Sequence, residues 1–195
     1  MATTKTVDKS AEKRKAILDA CLDLFCGKCY QDTSTASISQ KAGVATGTLF
    51  LYFENKDEMV NELYLSCKED YVSYIEEGVW DHTTFKAQVR HIWNRNLDWK
   101  MRNMQKMKFM SQFSSSTAIT DETKEKAMNR VTLINDVVNR AVEKGEVTTS
   151  STELLAAMIW GYFHSASTFL LGQPDSENLQ KWSDESFNFF WKGIN

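Results

Sequence analysis

Residues 34–56 read STASISQKAGVATGTLFLYFENK, from Ser34 to Lys56. Ser34 has a side-chain oxygen that can accept a first-turn N–H, so it suits the N-cap of a short helix running to about Lys41. Gly43 then breaks that helix, because glycine alone enters the left-handed region without a steric penalty. A second short apolar helix follows through Phe53. Ile38, Val44 and Leu49 fall where they can wedge the two helices together. Two short helices around a tight turn make a helix-turn-helix, whose second helix fits a DNA major groove about 12 Å wide.

The same segment resembles the N-terminal head of the tetracycline-repressor (TetR) family of bacterial transcriptional regulators. The family pattern has a capping Thr or Ser, Ile four residues on, Ala-Gly-Val at the turn, Gly-Thr-Leu in the recognition helix, an aromatic cluster ending in Phe, and Lys three residues later. Here these are Ser34, Ile38, Ala42, Gly43, Val44, Gly47, Thr48, Leu49, Phe50, Tyr52, Phe53 and Lys56. The match extends upstream through Ile17, Ala20, Leu24, Phe25 and Tyr30, and more weakly to Gly145-Glu146-Val147.

The resemblance implies contacts to double-stranded operator DNA. Thr46, Gly47, Thr48 and Leu51 would face the groove, and threonine's hydroxyl and methyl would give modest base readout. Ser34, Tyr52 and Lys56 would set the register on phosphates, with Thr35 a further candidate; the amides opening the helix at Lys56 would also favour an anion. Three positions depart from the pattern. Phe50 stands where tyrosine is common, so a hydroxyl is missing from that edge. Ala45 stands where a capping Ser is common, so Thr46 is expected to cap the recognition helix instead. Cys29 replaces the glycine that ends the first helix.

Outward from this segment the chain reads as helix throughout. One proline and eight glycines in 195 residues leave little punctuation. Upstream, Ile17, Leu18, Cys21, Leu22, Leu24 and Phe25 form an amphipathic stripe, predicting a helix over Ser10–Lys28. Downstream, Lys56 opens a long helix carrying Met59, Leu63, Tyr64, Cys67, Tyr71, Tyr74 and Ile75. Thr83 or Thr84 caps the next, which carries Phe85, Val89, Ile92, Trp93 and Leu97 and leads into a methionine-rich run ending at Phe113. The SSST run at 114–117 is a loop. A helix from about Asp121 carries Ala127, Val131, Ile134, Val138 and Ala141, with Gly145 as its left-handed cap. Ser151 or Thr152 starts an uncharged helix that Gly172 and Pro174 end, and a last helix runs from about Ser176. The fold class is all-α, with about nine helices. Residues 1–55 are expected to form a three-helix DNA-binding head and 56–195 an effector-binding and dimerising body.

Charge leans the same way. Residues 1–56 hold eight Lys and Arg against six Asp and Glu, and the rest hold 15 against 20. A mildly basic head suits a polyanion, while the excess is small enough to arise from ordinary surface scatter.

A mainly apolar effector pocket is expected from Trp93, Trp99, Met104, Met107, Met110, Phe113, Trp160, Phe163 and His164, against plain core packing as the alternative. The methionines at 101, 104, 107 and 110 are spaced by three, so they drift around a helix of 3.6 residues per turn. Either a break near Asn103 or Met104 divides them, or the segment is buried on several sides. Trp160, Phe169, Trp182, Phe187, Phe190 and Trp191 carry more apolar surface than a small domain readily hides, which suggests a homodimer face on the last two helices.

Other chemistry finds little support. Cys26 and Cys29 make a single C-x-x-C, open to a metal, redox or merely structural reading, and no second C-x-x-C or C-x-x-H follows. His82, His91 and His164 lie apart in the sequence, so neither a metal site nor a cofactor is expected. There is no phosphate loop, H-E-x-x-H or G-x-S-x-G, and no catalytic residue is assigned. An all-α enzyme or carrier, or a helical scaffold that does not touch DNA, remains the competing class. The N-terminus lacks a signal peptide's apolar core, so the cytoplasm is expected. The uncharged stretch Leu154–Leu171 is long enough to span a membrane, but Gly161, His164, Ser165, Ser167 and Thr168 favour a helix buried in protein.

Overall fold

The computed structural model describes residues 3–27, 30–129, 132–173 and 177–194. Among them the secondary structure is helical, with no strand. In order come α1 (Thr3–Gly27), α2 (Thr35–Lys41), α3 (Thr46–Leu49), α4 (Lys56–Glu76), a 3-10 turn at Val79–Asp81, α5 (Phe85–Arg102), α6 (Met104–Phe113), α7 (Asp121–Asn129), α8 (Leu133–Glu143), α9 (Thr152–Leu171) and α10 (Leu179–Gly193).

Caps and breaks follow the local chemistry. Thr84 caps α5, its hydroxyl accepting the Ala87 N–H, and Ser151 caps α9 by accepting from Leu154 N–H. Gly145 ends α8 at φ 71°, with Glu146 N–H closing back on the Ala141 carbonyl. Glu146 then reaches the start of α5, where its carboxylate accepts the Phe85 N–H at 2.6 Å. The 121–145 segment, expected as one helix, comes as α7 and α8. Thr123 and Ala127 are buried on α7, whereas Leu133, Ile134, Val137, Val138 and Ala141 form a fresh buried stripe on α8. The expected break between Met101 and Met104 is present at Asn103, which leaves helical geometry at φ -123° and ψ 41°. Lys28, Cys29, Val131, Pro174 and Ser176 lie outside the described residues.

The chain forms two compact units. The first comprises Met1–Glu69 with Asn103–Met128, the second Asp70–Arg102 with Asn129–Asn195. The first unit thus combines residues 1–55 with the start of α4 and the 103–128 segment. Its core holds Ile17, Cys21, Phe25, Ile38, Leu49, Phe53, Met59, Phe109 and Phe113. Phe109 and Phe113 sit four apart on α6, on one face, and their rings pack 6.3 and 5.8 Å from that of Phe25. The 114–120 loop is held by Asn61, whose amide donates to the Ala118 carbonyl and accepts from the Thr120 N–H.

In the second unit, Trp93 on α5 packs 5.1 Å from the Phe163 ring on α9, and its indole N–H donates to Ser183 on α10. Helix α9 is, among the described residues, the one long and apolar enough to cross a membrane, yet only 33% of its window is buried. The expectation that it is buried all round is therefore corrected. Leu155, Ala156, Ile159, Phe163 and Leu170 face inward, while Leu154, Met158 and Phe169 are exposed.

Candidate nucleic-acid interface

The helix-turn-helix is built from α2, the Gly43 turn and α3. Ser34 sits in extended geometry, and its hydroxyl accepts the Ser37 N–H at 3.1 Å. Gly43 adopts φ 67°, and Val44 N–H reaches back to the Ser39 carbonyl at 3.0 Å, so the chain reverses with α2's last carbonyls satisfied. Ile38 and Leu49 are fully buried and Val44 packs against them, which fixes the angle between the helices.

Ala45 occupies the N-cap of α3 without a side-chain bond. Thr46 does not cap in its place: its hydroxyl lies 3.0 Å from that of Ser39, across the motif. The expectation of a Thr46 cap is thus corrected, because a buried Ser39 offers a better partner than the helix's own amides. Sequence reading missed Ser39, since a lone serine beside an apolar stripe carries no distinguishing signal. Helix α3 is a single α-turn. Beyond it, Leu51 and Tyr52 N–H bond to the carbonyls of Thr48 and Leu49, three residues back.

This turn presents Thr46, Gly47, Phe50 and Leu51 to solvent, with Leu51 82% exposed, while Thr48 and Tyr52 are half-buried. Ser34 is exposed at the start of α2, and Thr35 half-buried beside it. Large apolar side chains left in water on a rigid edge suit contact with thymine methyls and sugar carbons.

Lys56 opens α4, and its ammonium donates to the carbonyls of Tyr30 at 2.7 Å and Thr33 at 3.0 Å, while lying 4.2 Å from the centre of the Tyr30 ring. It therefore secures the turn before α2, leaving one N–H direction for another acceptor. One amide of α4's first turn is already met within the chain. Asn55 accepts the Glu58 N–H, Glu58 accepts the Glu54 N–H, and Asp57 and Glu58 place negative charge in the first turn. Tyr30 donates to Asp57, and burial followed by that bond pushes its hydroxyl pKa up.

The residues expected to form one effector pocket belong to both units. Phe113 is in the core of the first unit with Met110 packed against that core, Met107 is half-buried, and Met104 is exposed on α6. The cause is the break at Asn103, after which α6 turns Phe109 and Phe113 into that core. Trp93, Trp99, Trp160 and Phe163 do meet, in the second unit. Trp160 and Phe163 rings lie 6.3 Å apart, and Tyr71 bridges Trp99 at 5.0 Å and Trp160 at 6.4 Å. His164 is on the exposed side of α9, a correction of its expected place in the interior.

The expected dimer face divides similarly. Phe187 and Phe190 are buried within the second unit, and Trp160 and Trp191 are half-covered there, Trp191 against Phe85. Phe187 and Phe190 thus pack within the chain, where α10 turns them toward α5 and α9, while Trp160 and Trp191 stay partly exposed. Phe169 remains 64% exposed and Phe189, missed in the sequence, 73%. With Tyr162 and Trp182 they line an open cleft of about 670 Å³ between α9 and α10. His82 and His91, apart in the sequence, meet with Nε2 and Nδ1 3.0 Å apart. Among the described residues no three potential metal-ligating side chains cluster.

A helical protein whose N-terminal helices form a rigid, solvent-edged helix-turn-helix belongs to the class of DNA-binding regulators. Residues 17–63 match the family described as bacterial regulatory proteins, tetR family. A solved structure from Shewanella sp. PV-4, assigned to the tetR family of transcription regulators, is 28% identical over 93% of this chain and 97% of its own, with a TM-score of 0.81. The fatty acid metabolism regulator protein of Bacillus subtilis is 20% identical over 93% of this chain and 95% of its own length. The solved transcriptional regulator FadR of Bacillus subtilis, in complex with stearoyl-CoA, shares the fold at 18% identity and a TM-score of 0.78, covering 93% of this chain and 99% of its own. Residues 17–63 thus carry the N-terminal DNA-binding domain of the tetR family, and the chain as a whole resembles regulators of that family in fold.

Proposed function

We propose that this regulator is a cytoplasmic repressor that binds operator DNA as a homodimer and is released by a small, mainly apolar effector. The observation that carries the DNA reading is the exposed edge Thr46, Gly47, Phe50 and Leu51 on a helix pinned by buried Ile38 and Leu49. Thr48 and Tyr52 flank that edge, and Ser34, Thr35 and Lys56 sit where phosphates would set the register. The head is residues 1–55 in this functional division, and the remainder senses and dimerises.

The dimer reading is supported by Leu154, Met158, Phe169 and Phe189, exposed apolar side chains on α9 and α10 that a second copy would cover. Two such heads would meet successive major grooves about 34–36 Å apart. An effector releases DNA only if it binds better to the conformation in which that spacing is wrong. The interior ring cluster of Trp93, Trp99, Trp160 and Phe163 supports an apolar ligand in the second unit, and the Bacillus structure bound to stearoyl-CoA makes long acyl chains the first class to try.

The test is selection of bound fragments from the source genome, followed by titration of the recovered sequence against its scrambled version. Specific binding at least a hundredfold tighter than to the scramble is expected, with affinity falling linearly in log–log terms as salt rises. Equal binding to both would overturn the operator reading.

A further inference from the structure

Among the described residues, two buried side-chain nitrogens have no hydrogen-bond partner: Asn96 Nδ2 and Trp160 Nε1. Asn96, on α5, is 1% exposed, and its oxygen is already used, accepting the Tyr71 hydroxyl at 2.8 Å. Trp160, on α9, has its ring 6.4 Å from the same Tyr71. Both orphans are donors, both lie beside one tyrosine, and both belong to the second unit. Buried N–H groups are costly to leave unmade, and two beside a common neighbour call for an acceptor that meets them.

The neighbourhood is donor-rich as well. Lys100, one turn beyond Asn96 on α5, donates its ammonium to Ser167 at 2.6 Å, and Ser167 lies two turns beyond Trp160 on α9. The rings around these groups are aromatic: Trp99 lies 5.0 Å from Tyr71, Phe163 6.3 Å from Trp160, and Trp93 5.1 Å from Phe163. Donors and an ammonium in an aromatic setting select against a lipophilic cation and for an oxygen acceptor on an apolar body.

We propose that Asn96 Nδ2 and Trp160 Nε1 anchor the carbonyl or carboxylate oxygen of an acyl-chain effector. This rests on the effector reading above and names the group recognised and the residues that recognise it. A thioester and a free fatty acid share that acyl oxygen, so both are tested.

The experiment is calorimetric titration of the full-length protein with dodecanoyl-CoA, dodecanoate, S-dodecyl-CoA, which keeps chain and nucleotide but lacks the carbonyl oxygen, and dodecyltrimethylammonium. One of the two acyl ligands is expected to bind about tenfold or more tighter than the probe lacking its oxygen, and which one does so identifies the source. Trp160→Phe removes the donor and keeps a ring. It should shrink that ratio to about threefold or less with the melting temperature unchanged or raised, since no donor is left wanting. Asn96→Asp keeps an oxygen for Tyr71 and replaces the donor, and should shrink the ratio likewise. Equal affinity for dodecanoyl-CoA and S-dodecyl-CoA, with dodecanoate no tighter than the cation, would overturn the assignment while leaving an apolar effector site intact. So would a Trp160→Phe protein that keeps the full ratio. Wild type that binds none of the four would remove the effector reading together with this one.

Discussion

The hydroxyls of Ser39 and Thr46 lie 3.0 Å apart and join the two helices of the DNA-binding motif across the Gly43 turn. Ser39 is buried and also donates to the Ala36 carbonyl, so the pair is anchored on α2. Thr46→Val keeps the shape and deletes the bond. It should cost about 0.5–1.5 kcal/mol in chemical denaturation and weaken operator binding, because the recognition turn loses its tie. A variant with wild-type stability would show that the hydroxyl pair adds nothing to the motif.

Lys56 holds the Tyr30 and Thr33 carbonyls and is the residue offered to a phosphate. Lys56→Ala should therefore do two things: lower the melting temperature by a few degrees, and reduce the salt slope of DNA binding by about one unit. A slope change at unchanged melting temperature would mean the carbonyl bonds are incidental. Loss of stability at unchanged slope would mean the lysine only shapes the turn.

The Cys21 thiol is fully buried beside the Met59 sulfur, and burial pushes its pKa from 9.0 up to about 12. Between these values the unfolded thiol loses its proton while the folded one keeps it, so the unfolded state binds fewer protons and stability falls as pH rises. The contribution is complete below pH 9 and is lost toward pH 12. Cys21→Val should flatten the early part of that decline in urea titrations at pH 8, 9 and 10. Native wild-type protein should also leave Cys21 unlabelled by iodoacetamide at pH 8. Rapid labelling there would contradict the burial.

Phe169 and Phe189 are the large exposed rings of α9 and α10. The double substitution Phe169→Glu and Phe189→Glu should convert the proposed dimer to monomer at micromolar concentration in light scattering, with helix content retained. Operator binding should fall with it, since one head alone spans a half-site. Dimers persisting in the double variant would place the interface on another face.

Much of this was legible in residue order, because it depends on neighbours along the chain. A serine cap at Ser34, a left-handed glycine at Gly43 and at Gly145, a cap at Thr83 or Thr84 and another at Ser151 or Thr152, and the inward spacing of Ile38, Val44 and Leu49 are local matters of backbone geometry and helical period. A break near Asn103 or Met104 was one of two readings the three-residue methionine spacing left open, and the structure has it at Asn103. These features define an all-helical chain with a helix-turn-helix near its start.

What only the tertiary structure decided is which face of each helix is used up inside the chain. A run such as α9 is apolar on nearly every side, so its period does not tell Phe163, which packs on Trp93, from Phe169, which is left in water. Likewise nothing in the order of residues sends Phe113 to the head core, Phe187 and Phe190 to the second unit's own packing, or His82 to His91. The orphan donors of Asn96 and Trp160 are the extreme case, since an unmet hydrogen bond is a property of everything around an atom and of nothing beside it in the chain.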